Sequence, residues 1–337
     1  MRGRSRQAAR AKPENHDTTA VRRWRFTNMN EPYYSFNQYL RDKFGERVQR
    51  ISIDAGFNCP NLDGTLSNSG CIYCNNKGFS VYVGTLKSIE EQINDSIVYY
   101  RKNFGVKKFI AYFQSFTNTH AQPRELKERY DVVKKFPEII GLFISTRPDS
   151  IDEEKLDLIS KYGEKYLVWM EYGLQTTNEV ALKKINRNHT YEDFLKALKM
   201  TRRHNIDVGV HIILWLPDMR YADMLEDARK LAKLDIQGIK FHILHILKGT
   251  PLEEIYQKSS ISLLSKEQYL KILCDFLEHI PSKTVILRLI STAFPEYLIA
   301  PLWINNKSEI KEAVIKELER RGTYQGSGFN EVERCGH

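Results

Sequence analysis

The sequence predicts an α/β fold built on parallel strands, and three observations carry that reading. Short β-branched or aromatic runs recur near 50–54, 108–114, 140–146, 166–174, 207–216 and 238–247, with longer helical patterns between them. Such alternation gives parallel strands joined by right-handed crossovers. Four helix starts carry a side-chain cap followed three residues later by a polar partner, which together satisfy free backbone N–H groups: Ser88 with Glu91, Ser150 with Glu153, Thr190 with Asp193 and Ser265 with Gln268. Six strand–helix units are too few for a full eight-stranded barrel, and the alternation weakens after Pro251. Beyond it the pattern predicts a helix over 265–279, a short strand over Val285–Ile290, a loop rich in proline and aromatic residues, and a helix over 308–321.

Composition bounds the class. With 337 residues and 42% hydrophobic content the chain can build one large domain or two ordinary ones. No apolar run approaches the ~20 residues that span a bilayer, and the first residues lack the apolar stretch of a secretory signal. Five cysteines are too sparse for a disulfide framework, which points to a reducing cytoplasm. The net charge of +9 is concentrated: residues 1–25 hold eight Arg or Lys against two acids, +6 in all, leaving +3 for the rest. Residues 1–29 therefore read as a disordered basic tail, and Met29 is a candidate start. The basic pI by itself is weak evidence that the folded body binds nucleic acid.

The chemistry concentrates in one loop. The first strand runs into Gly56-Phe-Asn-Cys59-Pro-Asn-Leu-Asp-Gly-Thr65, and Cys71-Ile-Tyr73-Cys74 follows, with eleven residues between Cys59 and Cys71 and two between Cys71 and Cys74. Three thiolates on one loop read as a metal site. A structural zinc site closes with four ligands and an ordinary four-iron cluster uses four thiolates. Three can hold a four-iron cluster with one iron open, or a zinc ion completed by a histidine. Cys274 falls on a helical apolar pattern and reads as a buried free cysteine, and Cys335 lies near the end of the chain, away from the triplet.

The Cys-x2-Cys pair with Tyr73 ahead of its last cysteine resembles the cluster loop of the radical S-adenosylmethionine (radical SAM) enzymes. The longer first spacing resembles the branch containing the radical subunit of Elongator, and the Gly56–Thr65 segment resembles a bacterial subfamily of small Elongator-related enzymes. The resemblance runs from about Tyr33 to about Gly326. It implies a partial (β/α)6 TIM-like barrel over 30–250, with a C-terminal α/β extension over 251–337 covering the barrel mouth. It also implies a [4Fe-4S] cluster on Cys59, Cys71 and Cys74 and S-adenosyl-L-methionine as cofactor. An electron donor such as flavodoxin or ferredoxin would supply the reductant. The implied substrate is tRNA, with the wobble uridine side chain remodelled from carboxymethylaminomethyl to aminomethyl.

The resemblance also directs attention to particular side chains. Gln114, Ser115 and Asn118 end the second strand, where the family meets the methionine part of the cofactor. Glu171 and Gln175 end the fourth; four residues apart, they share one face. Arg187, in an Arg-x-His segment, could fork onto a carboxylate, and Tyr73 borders the cluster. The same polar residues could equally serve as loop caps, and Arg187 as a solvent-exposed side chain. Trp215 and Asp218 stand where the family usually has glycine, which puts the adenine pocket in question. Either the indole packs outward or it stacks on the base. His211, His242 and His245 read as packing histidines, with a second metal site as the other option, while His242 and Lys248 could touch substrate. No residue is assigned as catalytic. Lys311, Lys316, Arg320 and Arg321 permit RNA contact, although the acids among them make the last helix readable as a solvated face. Two other functions compete: radical chemistry on a protein or small metabolite, and a non-catalytic zinc or electron-transfer protein. A methylthiotransferase would need a second cysteine triplet.

Overall fold

The computed structural model describes residues 31–75, 82–258 and 261–329. Seven strands form one all-parallel sheet whose order follows the chain: β1 (Val48–Ile53), β2 (Lys108–Phe113), β3 (Ile139–Thr146), β4 (Leu167–Gln175), β5 (Asp207–Leu214), β6 (Gly238–Ile243) and, after a two-residue β7 (Ile246–Leu247), β8 (Val285–Arg288). The crossovers carry helices α2 (Ile89–Phe104), α3 (Pro123–Tyr130), α4 (Glu153–Ser160), α5 (Glu179–Lys184), α6 (Tyr191–Arg203), α7 (Tyr221–Ala232), α8 (Pro251–Gln257) and α9 (Lys266–His279). The result is a partial barrel, as expected, with one strand more than the six anticipated. Val285–Arg288, expected in the C-terminal extension, pairs in parallel with β6. Two helices occupy its crossover, so the strand–helix rhythm is diluted there. The chain then returns along β9 (Leu298–Ala300), antiparallel to β7, into α10 (Lys307–Arg321).

Three of the four anticipated capping boxes are present, at Ser88, Thr190 and Ser265. The fourth is not. Asp152 caps α4 by accepting from the Lys155 N–H, while Ser150 closes a short turn that begins at Pro148. The carboxylate two residues on lies in register with the free amides, and the proline-led turn takes the serine out of that position.

The sheet stays open between β1 and β8. Helix α1 (Phe36–Phe44) packs against both edge strands, and the Ile286 N–H bonds the Tyr34 carbonyl at 2.8 Å, so the segment ahead of α1 covers the β8 edge. Phe36 enters the barrel base beside Val48, Ile110, Phe143, Trp169 and Leu287. A methyl group on Gly238 would lie 2.7 Å from the Trp169 ring, and one on Gly209 2.8 Å from Leu287. Glycine makes room for the fully buried indole at position 238 and for Leu287 at position 209. Above this apolar floor lies a charged layer and above that an open cavity. Stacked interior layers are the packing habit of such barrels, and chemistry collects at the C-terminal strand ends.

Trp215 follows β5 with φ +65° and Asp218 has φ +66°. Both positions, where the family usually has glycine, thus have left-handed backbone, which glycine adopts freely and other residues at a cost. Trp215 does not line the cavity. Its indole N–H donates to the Ser262 carbonyl at 3.1 Å and its ring packs on the main core. Replacing Trp215 with glycine removes half-buried packing but relieves the backbone. A net loss of about 1–2 kcal/mol is expected in chemical denaturation, with cofactor affinity unchanged in the folded protein. Selective loss of that affinity would show that the indole reaches the adenine.

Candidate active site

The charged layer is organised on Glu171 of β4, which has no solvent exposure. Its Oε1 accepts from Arg50 Nη1 at 2.9 Å; its Oε2 accepts from Lys240 Nζ and His211 Nε2, both at 2.8 Å. Lys240 also donates to the Tyr112 hydroxyl at 2.6 Å, and Arg50 lies over the Tyr112 ring. Burial alone would raise the Glu171 pKa, but the charges of Lys240 and Arg50 outweigh it and hold the carboxyl well below its usual range. Burial and the Lys240 charge keep His211 near pKa 4, so it is neutral at pH 7 and donates its Nε2–H. His211 is thereby a member of the charged layer.

Above this layer is a cavity of about 370 Å³, within the usual size of ligand pockets. Cys59, Cys71 and Cys74 all line it, as do Tyr73, Gln114, Ser115, Gln175 and Arg187. Glu171 and Asn118 do not. The side-chain amide of Asn118 donates to the carbonyls of Phe113, Ser115 and Ser145, and Tyr130 bonds its carbonyl. It therefore shapes the turn that presents Ser115. Glu171 and Gln175 share a face as expected, but Glu171 sits lower in the barrel and is fully engaged there. Gln175 has φ +80° at the bulged end of β4. The turn after it is pinned by Asp227 of α7, which accepts from the Thr176 hydroxyl and from the N–H and hydroxyl of Thr177. Burial pushes Asp227 up to about 6 despite these bonds.

The cysteine loop is clamped onto the turn between α5 and α6. Asn61, fully buried, donates to the Asn186 carbonyl at 2.8 Å and to Cys71 Sγ at 3.5 Å, and accepts from Asn188. Asn186 in turn donates to the Gly70 carbonyl, and the Ile72 N–H reaches the Ile185 carbonyl. Gly70 has φ +68°, and a methyl group there would lie 2.6 Å from Leu62. Arg187 is buried, not exposed. It donates through Nη2 and Nε to the Gly173 carbonyl, through Nε to His189, and through Nη1 to Cys71 Sγ at 3.5 Å. A side chain on Gly173 would collide with this guanidinium. Burial and the Arg187 charge drive His189 to about 3, leaving a neutral ring that accepts the Arg187 N–H.

Sequence reasoning missed Arg147, Asn61, Asp227, Arg288 and Lys307. Arg147 lines the cavity and forks onto Asp149 at 2.9 and 2.6 Å, while its Nη1 is buried with no partner among the described residues. Its position at the end of β3 was the available signal. Cys274 is buried in α9, and burial raises its thiol to about 12, so it is inert. Cys335 and the tail 1–29 lie outside the described residues. Among those residues no group of three His, Cys, Asp or Glu side chains is arranged to hold a single metal ion. The basic residues of α10 are largely engaged: Lys311 pairs with Glu31, Arg320 with Glu317, and Arg321 with Glu317, Asp275 and Glu278. No helix among the described residues is long and apolar enough to cross a membrane.

Replacing Glu171 with glutamine leaves Arg50 and Lys240 buried without a counter-charge and is expected to cost about 3–5 kcal/mol in denaturation. The folded pKa of Glu171 lies below its ordinary 4.5. The carboxylate's contribution is therefore present above pH about 4.5 and lost as pH falls through the folded value. The parent should lose more stability than Glu171→Gln on acidification through that window. Equal stability of the two proteins at pH 7 would refute the central role of this carboxylate.

Comparison with known proteins places this site in a family. A model described as the radical SAM superfamily matches residues 66–255, and a radical SAM C-terminal domain model matches 236–320. The protein YtqA of Bacillus subtilis is 38% identical over 309 residues, spanning 91% of this chain and 96% of that one. YhcC of Escherichia coli is 31% identical over 273 residues, 81% and 87% of the two chains. A tRNA uridine(34) acetyltransferase of Methanocaldococcus jannaschii is 26% identical over 189 residues, 54% of this chain and 33% of that one. Among solved structures, the archaeal Methanocaldococcus infernus Elp3 with an N-terminal deletion superposes with a TM-score of 0.61 at 18% identity, covering 82% of this chain and 64% of that one, which is a likeness of fold. With a family model matched over more than half its length and relatives of this identity aligned nearly end to end, the chain belongs to the radical SAM superfamily, whose members use a four-iron cluster and S-adenosylmethionine.

Proposed function

We propose that this protein is a tRNA-modifying radical SAM enzyme that remodels the wobble uridine side chain from carboxymethylaminomethyl towards aminomethyl. The observation that carries the proposal is the cavity itself, with three cysteine thiols on one wall and hydrogen-bonding side chains from the strand ends around it. The residues fit the cofactors. Cys71 Sγ receives N–H groups from Asn61 and Arg187, as a thiolate ligand of an anionic cluster would, and the buried, unpartnered Nη1 of Arg147 is a donor suited to a carboxylate. Cys59, Cys71 and Cys74 would hold the cluster. When bound, the cluster supplies the electron that cleaves S-adenosylmethionine to methionine and a 5′-deoxyadenosyl radical. An electron donor such as flavodoxin or ferredoxin would feed it, and a cytoplasmic location suits both the reductant and the substrate.

Within this reading the side chains divide their work. Gln114, Ser115 and Gln175 offer neutral hydrogen bonds to the cofactor, and Arg147 takes its carboxylate. Arg187 and Tyr73 hold the cysteine loop: burial and the Cys71 sulfur beside it keep the Tyr73 hydroxyl protonated. Glu171 and Asn118 act from beneath, the first by fixing three strands against one another, the second by fixing the turn after β2. The tRNA assignment draws support from the resemblance to Elongator's radical subunit and from the partial match to archaeal proteins named tRNA uridine(34) acetyltransferase.

Anaerobic reconstitution should load about four irons and four sulfides per chain. Cys59→Ala, Cys71→Ala and Cys74→Ala should each abolish loading, and Cys274→Ala and Cys335→Ala should leave it intact. Stoichiometric zinc without sulfide would sink the cluster. Nucleoside analysis of tRNA from cells with and without the protein tests the substrate: the carboxymethylaminomethyl form should accumulate in its absence, and unchanged wobble nucleosides would reject the tRNA assignment.

A further inference from the structure

The charge of the cavity wall is one-sided. Arg147, Arg187, Lys240, Arg288 and Lys307 line it, and no aspartate or glutamate does, although acids number 42 against 51 basic residues in the whole chain. Three of these cations are engaged: Arg147 with Asp149, Arg187 with Gly173 and Cys71, Lys240 with Glu171. The side chains of Arg288 and Lys307 make no hydrogen bond or ion pair among the described residues. Arg288 ends β8 as the register partner of Lys240 and lines the cavity. Glu171 is the carboxylate it feels, and that carboxylate already serves Arg50, Lys240 and His211. Lys307 opens α10 at the cavity mouth, within the field of Arg288.

Two neutral groups in the same wall are also unsatisfied. The hydroxyl of Ser291, a residue 1% exposed, and the Nε2 of His242 are buried without a partner among the described residues, and both residues line the cavity. Unfilled polar groups beside the half-buried, unpaired Arg288 are the lining an anion needs, since a charge withdrawn from water is tolerated when it is paired and hydrogen-bonded; Lys307 adds positive charge from the exposed rim. We infer that Arg288 and Lys307, with Ser291 and His242, form a subsite for a substrate carboxylate. In the reading above Arg147 takes the cofactor's own carboxylate, so this anion belongs to a second molecule. A guanidinium presents a planar fork that matches a carboxylate. Arg288 is half-buried on β8, a position that suits the carboxylate of a slender side chain on a base better than a bulky backbone phosphate. The inference rests on the tRNA reading above only for the identity of the group, the carboxymethyl end of the modified uridine; the anion subsite stands on the wall itself.

The test uses reconstituted full-length protein and two small probes: N-benzylglycine, which carries a carboxymethyl group on a secondary amine, and benzylamine, which lacks the carboxylate. By calorimetry the parent should bind N-benzylglycine at least tenfold more tightly than benzylamine. Arg288→Gln should bring that ratio close to one, and Arg288→Lys should recover part of it. Lys307→Gln, a change at the solvent-reached mouth that leaves the core intact, should lower the ratio severalfold. Absence of binding, equal binding of the two probes by the parent, or a ratio that survives in Arg288→Gln overturns the subsite. Inorganic phosphate that competes more strongly than the carboxylate overturns the assignment to a carboxylate in favour of a phosphate. A parallel assay on tRNA bearing carboxymethylaminomethyluridine separates the two ideas. Probe discrimination with no reaction on that tRNA keeps the subsite and rejects the tRNA reading. Equal kcat/KM of parent and Arg288→Gln on it keeps the tRNA reading and rejects the subsite.

Discussion

The Glu171 carboxylate, with no access to water, is what the rest of the barrel interior is built around. It is tied to β1 through Arg50, to β5 through His211 and to β6 through Lys240. A barrel that is open between its first and last strands needs such a tie, because no hydrogen-bond ladder joins β1 to β8. Burying one carboxylate under three donors is tolerable only because each member is satisfied; removing any of them leaves a desolvated charge behind. The apolar floor below, where Trp169 and Leu287 fill the space left by Gly238 and Gly209, excludes water from the charges. The cavity above inherits their excess of positive charge.

The cysteine loop depends on the barrel in a different way. It has little regular structure of its own and takes its shape from the turn between α5 and α6, through Asn61, Asn186, Asn188 and Arg187. That turn is fixed against β4, where Gly173 leaves room for the guanidinium. Three thiols that line one cavity are therefore placed by contacts running from β1 to α6. The same contacts direct N–H groups at Cys71, and hydrogen bonds of this kind help set the electronic properties of a bound cluster.

Much of this was legible in the sequence. The first five anticipated barrel strands are present close to their expected bounds, because each is a short β-branched or aromatic run between helical periods; the sixth, expected over 238–247, ends at Ile243, and Ile246–Leu247 pair with β9 instead. The caps at Ser88, Thr190 and Ser265 were readable because a capping box is a local device. The cysteine triplet, Tyr73, Gln114, Ser115 and Gln175 were found because they lie in the loop after β1 or at strand ends, and in a parallel barrel those ends face the cavity. Cys274 was readable as inert from its apolar helical surroundings.

Other features belong to the tertiary structure alone. Whether Ser150 or Asp152 caps α4 depended on a turn whose geometry comes from Pro148. Whether Trp215 faced the cavity depended on a left-handed backbone and a carbonyl 47 residues later in the chain. Arg187 was readable as a carboxylate-binding residue or as a surface arginine, but nothing local shows Gly173 or Cys71 beside it. The depth of Glu171, the partners of Lys240 and His211, and the unpaired charges of Arg288 and Lys307 are joint properties of elements far apart on the chain. By itself the sequence determined the elements, their parallel order and the cysteine triplet with its spacing, since periodicity, caps and spacing are local. Only the tertiary structure decided which charges cancel and which remain open to a ligand, because electrostatic compensation is settled by distance and burial in space.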